Sequence, residues 1–158
     1  MKTLVVYYSL KGHTKKAAEL IAAPLSAELE EIREIRSRKG LWGFLRSGRE
    51  AATGFAAPVL PAEHRAEEYD LVVVATPVWA GRPSSPVNGF LAQHGKNIAR
   101  LGVVLTHADK KNEYDAAAER IGAACGKKPL AVLSSCGAPG EDAARAFAAK
   151  LQSAVSAP

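Results

Sequence analysis

Residues 70–76, DLVVVAT, place four branched aliphatic residues side by side with nothing polar between them. A strand with one wet face alternates apolar and polar residues. A strand that does not alternate needs cover on both faces, and the middle of a parallel sheet with helices above and below supplies it. LVVYY at residues 4–8 and LGVVLT at residues 101–106 have the same character. Each of the three runs breaks into a polar or proline-bearing turn and then resumes as a helix-forming stretch. Parallel neighbours cannot be joined by a hairpin, so strand, turn and helix repeating along a chain imply an α/β protein.

Taken in order, residues 4–8 form the first strand, and residues 15–23 form the first helix, which Pro24 should close. Residues 29–35 carry Leu29, Ile32 and Ile35 at a spacing that suits a helix, but a chain of this type calls for an edge strand here. The third strand is 70–76, and Pro77, Gly81, Pro83 and Pro86 should end it in a shaped loop before a helix at about 87–94. The fourth strand is 101–106, followed by a helix at about 112–125 with Asp109 as a cap. PLAVLSS at 129–135 is the fifth strand. Residues 141–155, apolar at Ala144, Phe147, Ala148, Leu151 and Val155, are the last helix.

Residues 36–61 read as an irregular excursion. They begin basic (RSRK), continue as GLWGFL at 40–45, carry Arg46, Gly48 and Arg49, and end near Pro58 and Pro61. Packing, a lid or partner contact, and a membrane contact are the three readings, in falling order of weight.

The chemistry concentrates in the turns. SLKGHT at residues 9–14 joins a buried strand to a helix, so the helix's first N–H groups and the positive end of its dipole face out. Ser9 and Thr14 add hydroxyls, Gly12 lets the backbone come close, and Lys11 adds a charge; these suit a phosphate, although ordinary capping uses the same residue types. The loop is neither GxGxxG nor GxxxxGK[ST]. In the second turn, TPVWAGRPSSPV, Trp79 on a proline-braced, glycine-relaxed loop can face a planar ring or plug the end of the sheet.

YYSLKGHTKKAAE resembles the phosphate loop of flavodoxins, and the residues of that loop matched here are Ser9, Gly12 and Thr14; Lys11 and His13 depart from the residues often found there. The resemblance implies that Ser9, Leu10, Lys11, Gly12, His13 and Thr14 hold the phosphate of FMN. In the same family a T-P-x-W segment contacts the flavin, which carries over to Thr76, Pro77, Val78 and Trp79, with Ala80 and Gly81 completing the turn. The family's loop after the fourth strand is rich in Gly and Ser; here Thr106, His107, Ala108 and Asp109 lead into Lys110, Lys111, Asn112, Glu113 and Tyr114, with no glycine. The implied architecture is a flavodoxin-like, doubly wound, five-stranded parallel sheet of order 2-1-3-4-5 in three layers, which gathers the loops after strands one, three and four around one crevice.

With 158 residues and 47% hydrophobic content the chain suits a single domain, residues 1–158. No apolar run approaches a membrane span, and the N-terminus lacks the pattern of a signal peptide, so the expectation is a cytoplasmic protein. Cys125 and Cys136 are too few and too far apart for a metal cage, and His13, His64, His94 and His107 show no ligand spacing, so no metal site is expected. The net charge of +5 comes without a stacking platform, which argues against nucleic acid. Lys11, Arg82, Lys110, Lys111 and His107 in or near the loops favour a negatively charged reduced flavin, hence two-electron reduction of a quinone-like acceptor. Electron carriage between redox proteins, with an acidic partner, is the neighbouring reading, and a scaffold module that has lost FMN is the third. No catalytic acid or base is expected, because the cofactor itself does the redox chemistry. His13, His107, Tyr114 and Cys136 are placed near the edge without a role, and oligomeric state is left open.

Overall fold

The structure, a computed structural model, describes residues 1–35, 40–110 and 114–157. Its elements in chain order are β1 (Thr3–Tyr7), α1 (His13–Leu25), β2 (Glu28–Glu31), α2 (Gly40–Thr53), β3 (Leu71–Trp79), β4 (Arg82–Pro83), α3 (Ser85–His94), β5 (Leu101–His107), α4 (Asp115–Cys125), β6 (Ala131–Cys136) and α5 (Glu141–Ser156). Five strands form a parallel sheet in the order β2-β1-β3-β5-β6, and β4 turns back against the end of β3. The expected order 2-1-3-4-5 is this one, with a short hairpin strand added.

The aliphatic runs account for the layering. Val5 and Tyr7 of β1 and Val73 and Ala75 of β3 pack with Ala17, Ala18 and Ile21 of α1 and Phe147 and Leu151 of α5. Leu4, Val6, Val72, Val74, Val103 and Leu105 point the other way, onto Val87, Phe90 and Leu91 of α3 and Ala118 and Ile121 of α4. Successive side chains thus alternate between two buried layers, which is why the middle of each central strand is continuously apolar.

Several boundaries differ from the sequence expectation. Pro24 does not close α1. The helix runs to Leu25 and ends at Ser26, which takes a left-handed conformation while the N–H groups of Ser26 and Ala27 bond the carbonyls of Ala23 and Ala22. That pair of hydrogen bonds is what ends the helix. Only the first three residues of 29–35 are strand, and the strand begins one residue earlier, pairing Glu28 to Glu31 with Leu4 to Tyr7.

Residues 40–53, expected to be irregular, form a helix, tied internally by Arg46 Nε to Glu50 Oε1 at 2.7 Å. The basic residues at 36–39 and the side chains of Leu41 and Phe44 lie outside the described residues.

Pro77 does not end β3, which continues to Trp79. The carbonyl of Ala75 accepts from Tyr8 on the β1 side. By alternation, the N–H that Pro77 lacks would point to that side, where β1 has already left the sheet. β3 and β4 then close a two-residue hairpin, Val78 facing Pro83 and Trp79 facing Arg82, with positive φ at both Ala80 and Gly81. That is the turn that matches the twist of a hairpin.

α3 begins two residues earlier than expected, with Pro86 inside its first turn, where a missing N–H does no harm. α4 begins at Asp115 with Tyr114 rather than Asp109 at its cap; Lys111, Asn112 and Glu113 lie outside the described residues. No helix among the described residues is long and apolar enough to cross a membrane.

Candidate functional site

The carboxyl ends of β1, β3, β5 and β6 surround a cavity of about 570 Å³, a size that suits a small-molecule ligand. Its lining comes from Ser9, Leu10, Lys11, His13 and Thr14 after β1, from Pro77 to Ala80 in the hairpin, from Thr106, His107 and Ala108 after β5, and from Cys136 and Gly137 after β6.

The first wall is a helix N-terminus left open. Gly12, at φ 92°, turns the chain into α1, and no side chain caps that helix. The hydroxyl of Ser9 is engaged with the N–H of Gly12 at 3.1 Å, and the first bond inside the helix runs from the N–H of Lys16 to the carbonyl of Gly12 at 3.0 Å. The N–H groups of the first helical turn therefore have no helical acceptor, and Lys11 lies on the lining beside them. The Thr14 hydroxyl bonds the Thr106 hydroxyl at 2.7 Å, so it fastens the first turn of α1 to the end of β5 and is itself buried. Sequence reasoning treats Thr14 as a ligand donor; the structure places it on the lining, where its hydroxyl also ties two walls together.

The second wall is the hairpin. Trp79 stands edge-on to Tyr8, with ring centroids 5.7 Å apart and planes at 90°, and the hydroxyl of Tyr8 donates to Glu34 at 2.8 Å. Thr76 lies below the cavity rather than on it. Its hydroxyl donates to the Pro77 carbonyl or pairs with the Ser84 hydroxyl, and it accepts from the Ser84 N–H, which pins the root of the hairpin. Gly81 serves the turn, away from the lining.

The third wall departs most from expectation. His107 lies on the lining with Nδ1 2.6 Å from the Asp109 carbonyl and Nε2 2.9 Å from the Ser134 hydroxyl. A carbonyl only accepts, so Nδ1 carries a proton. Asp109 is exposed and meets the site through that carbonyl alone among the contacts just given. Tyr114 packs its ring 4.7 Å from His107 instead of reaching the cavity. The back of the site is Cys136 and Gly137, to which no sequence motif points; their position follows from β6 ending level with His107, the register partner of Cys136.

Of the sequence-nominated residues, Gly12, Thr76, Gly81 and Asp109 support the walls and the other twelve line the cavity. Among the expected cations, Lys11 and His107 are on the lining. Arg82 turns toward Gly54 and Lys110 is exposed and off it. Among the described residues no Asp or Glu contributes to the lining. Among the described residues no group of three or more His, Cys, Asp or Glu is arranged to hold a metal ion.

No protein-family model matches the chain. The NAD(P)H dehydrogenase (quinone) of Cupriavidus metallidurans is 34% identical to it over 94 residues, 60% of this chain and 47% of that protein. The chain thus spans about half the length of the curated relative it matches. Among solved structures, a Lactobacillus acidophilus flavoprotein in complex with FMN superposes with a TM-score of 0.70 at 23% identity, over 84% of this chain and 92% of that one. A Streptococcus pneumonia flavodoxin superposes with a TM-score of 0.62 at 19% identity, over 97% and 99% of the two chains.

Proposed function

We propose that this flavodoxin-like fold binds FMN and reduces a quinone-like acceptor two electrons at a time. The observation that supports the reading most is the composition of the cavity at the carboxyl edge. An uncapped helix N-terminus with Lys11 stands at one end, a Trp-bearing hairpin stands at another, and no carboxylate among the described residues lies between them. The donor set fits the group: free first-turn N–H groups and a lysine for the phosphate, and an apolar wall of Pro77, Val78 and Trp79 for a flat aromatic system. FMN, when bound, supplies the redox chemistry.

The chain's own residues would do three things. Lys11 and the first turn of α1 hold the dianionic phosphate, Trp79 and Pro77 orient the ring and exclude water, and Lys11, His13 and His107 keep the neighbourhood free of negative charge. An added electron pair makes the ring more negative, so a lining without carboxylates stabilises the doubly reduced state relative to an acidic one. The scaffold reading without a cofactor has no observation in its favour.

The relative's name, a quinone dehydrogenase, supports the acceptor class. Carriage of single electrons to an acidic protein partner is the second reading, supported by the basic stretch near 36–49. A cytoplasmic location accompanies either.

The test is a titration of the chain with FMN and separately with riboflavin, followed by a reductive titration of the loaded protein. FMN is expected to bind at least about a hundredfold tighter than riboflavin, since the phosphate adds several charge-assisted hydrogen bonds. Lys11→Ala should erode that ratio and leave riboflavin binding intact. Reduction in one two-electron wave is expected; two resolved one-electron waves would favour the carrier. Equal binding of both ligands would remove the phosphate cradle from the reading.

A further inference from the structure

Between Ile35 and Arg49 the sequence holds Arg36, Arg38, Lys39, Arg46 and Arg49 and no acidic residue. Those five charges equal the whole formal net charge of +5; removing them from the 21 basic residues leaves sixteen, which the 16 acidic residues balance. The chain is therefore neutral apart from one basic stretch. Exposed apolar side chains gather in the same region. Of the ten large hydrophobic residues exposed among the described ones, Ile35, Trp42, Leu45, Phe55 and Leu60 fall between positions 35 and 60, and Trp42 is 84% exposed. Scattered single exposures are ordinary, but an indole almost wholly in water within an acid-free basic run is not.

α2 holds the described part of this stretch, from residue 40 on, at a defined place. Glu50 accepts from the Ser85 hydroxyl at 2.8 Å, and the N–H of Ala57 bonds the carbonyl of Ser85 at 2.9 Å, so the helix's end is fastened to the start of α3, at the edge that carries the cavity. Trp42, Leu45 and Arg49 follow one another at i, i+3 and i+7, which is one face of a helix, and all three are exposed.

We propose that the face of α2 bearing Trp42, Leu45 and Arg49 docks the protein on an anionic lipid surface. The charge selects a negative partner. The apolar residues narrow the choice, because a bilayer interface accepts an indole and a leucine without a pocket shaped to receive them, and Trp favours that depth. A nucleic acid would use the charge but leaves Trp42 and Leu45 without the flanking aromatics of a stacking platform. Each basic residue near an anionic leaflet strengthens binding about fivefold, so charge and insertion together give the two signals that a stable peripheral attachment needs. The docking needs no cofactor and goes beyond the redox reading; where that reading holds, it brings the cavity's edge to the phase in which an apolar acceptor dissolves.

The test is co-sedimentation of the full chain with vesicles of phosphatidylcholine alone and of equal parts phosphatidylcholine and phosphatidylglycerol, at low and raised salt. Partition onto the anionic vesicles alone is expected, weakening with salt. Trp42→Ser and Arg49→Glu should each lower it about tenfold. Lys128→Glu, the same charge change at the opposite edge of the sheet, should alter it less than about twofold. A Lys128→Glu loss equal to that of Arg49→Glu, or a Trp42→Ser variant that binds like its parent, overturns the proposal in favour of diffuse attraction. No partition onto either vesicle overturns it outright and leaves the face to an acidic protein.

Discussion

Tyr8 follows the last residue of β1 and supports the aromatic wall of the cavity from behind. Its ring stands perpendicular to that of Trp79 and its hydroxyl donates to Glu34, whose backbone bridges to Val59 beyond the end of β2. Sequence reading sees Tyr8 as one more residue of a strand, because nothing in LVVYY tells a core tyrosine from one that positions a neighbour. Tyr8→Phe keeps the edge-on ring and loses a hydrogen bond to a carboxylate, which should cost about 1.5 kcal/mol in urea unfolding. Tyr8→Leu also loses the ring contact, worth about 1 kcal/mol more. The two can be separated spectroscopically. In a Trp42→Phe background Trp79 is the sole tryptophan, and its emission should shift red in the Leu variant and hold in the Phe variant. An unmoved emission in both would show that Trp79 keeps its position without Tyr8.

At the scale of elements, legibility followed the source of each element's stability. β1, β3 and β5 draw theirs from continuous aliphatic burial, and their runs were plain in the sequence. α2 has Gly40, Gly43 and Gly48 in fourteen residues, each glycine weakening a helix by about 1 kcal/mol. What holds it is distant: Ser85, thirty-five positions on, and the close approach of its trailing segment to α3. No local pattern announces such contacts. The approach is tight at Gly89, where an added Cβ would fall 2.0 Å from the Ala57 carbonyl oxygen. Backbone cannot yield as a flexible side chain can, so Gly89→Ala should destabilise by about 2 kcal/mol or more, through overpacking. Thermal unfolding measures it, and if the segment at 55–60 is the part displaced, proteolysis should cut there first. A neutral Gly89→Ala would mean that α2 and its trailing segment sit loosely on α3.

For the whole molecule, the two buried layers and the open edge make different worlds for its two thiols. Cys125 closes α4 inside the layer of Leu4 and Val103, and burial pushes its thiol up to about 11. A raised value favours the protonated form, so Cys125 carries almost no thiolate at pH 8, and the reactive species is absent as well as hidden. Cys136 lies exposed at the back of the cavity, where its Sγ is 3.5 Å from the Ala108 carbonyl. The sequence placed it near this edge but could not tell lining from surroundings, because that distinction depends on where β6 stops relative to β5. One thiol should therefore react with a disulfide reagent in the native protein at pH 8 and two after unfolding, with Cys136→Ser abolishing the native reaction. Saturating FMN should slow that native reaction by filling the cavity, and Lys11→Ala should weaken the protection by raising the FMN concentration needed. If Cys136 reacts at the same rate with and without FMN while FMN binds tightly, the ligand sits elsewhere on the edge. If both thiols react at once in the native chain, the layer around Cys125 opens more readily than its burial implies.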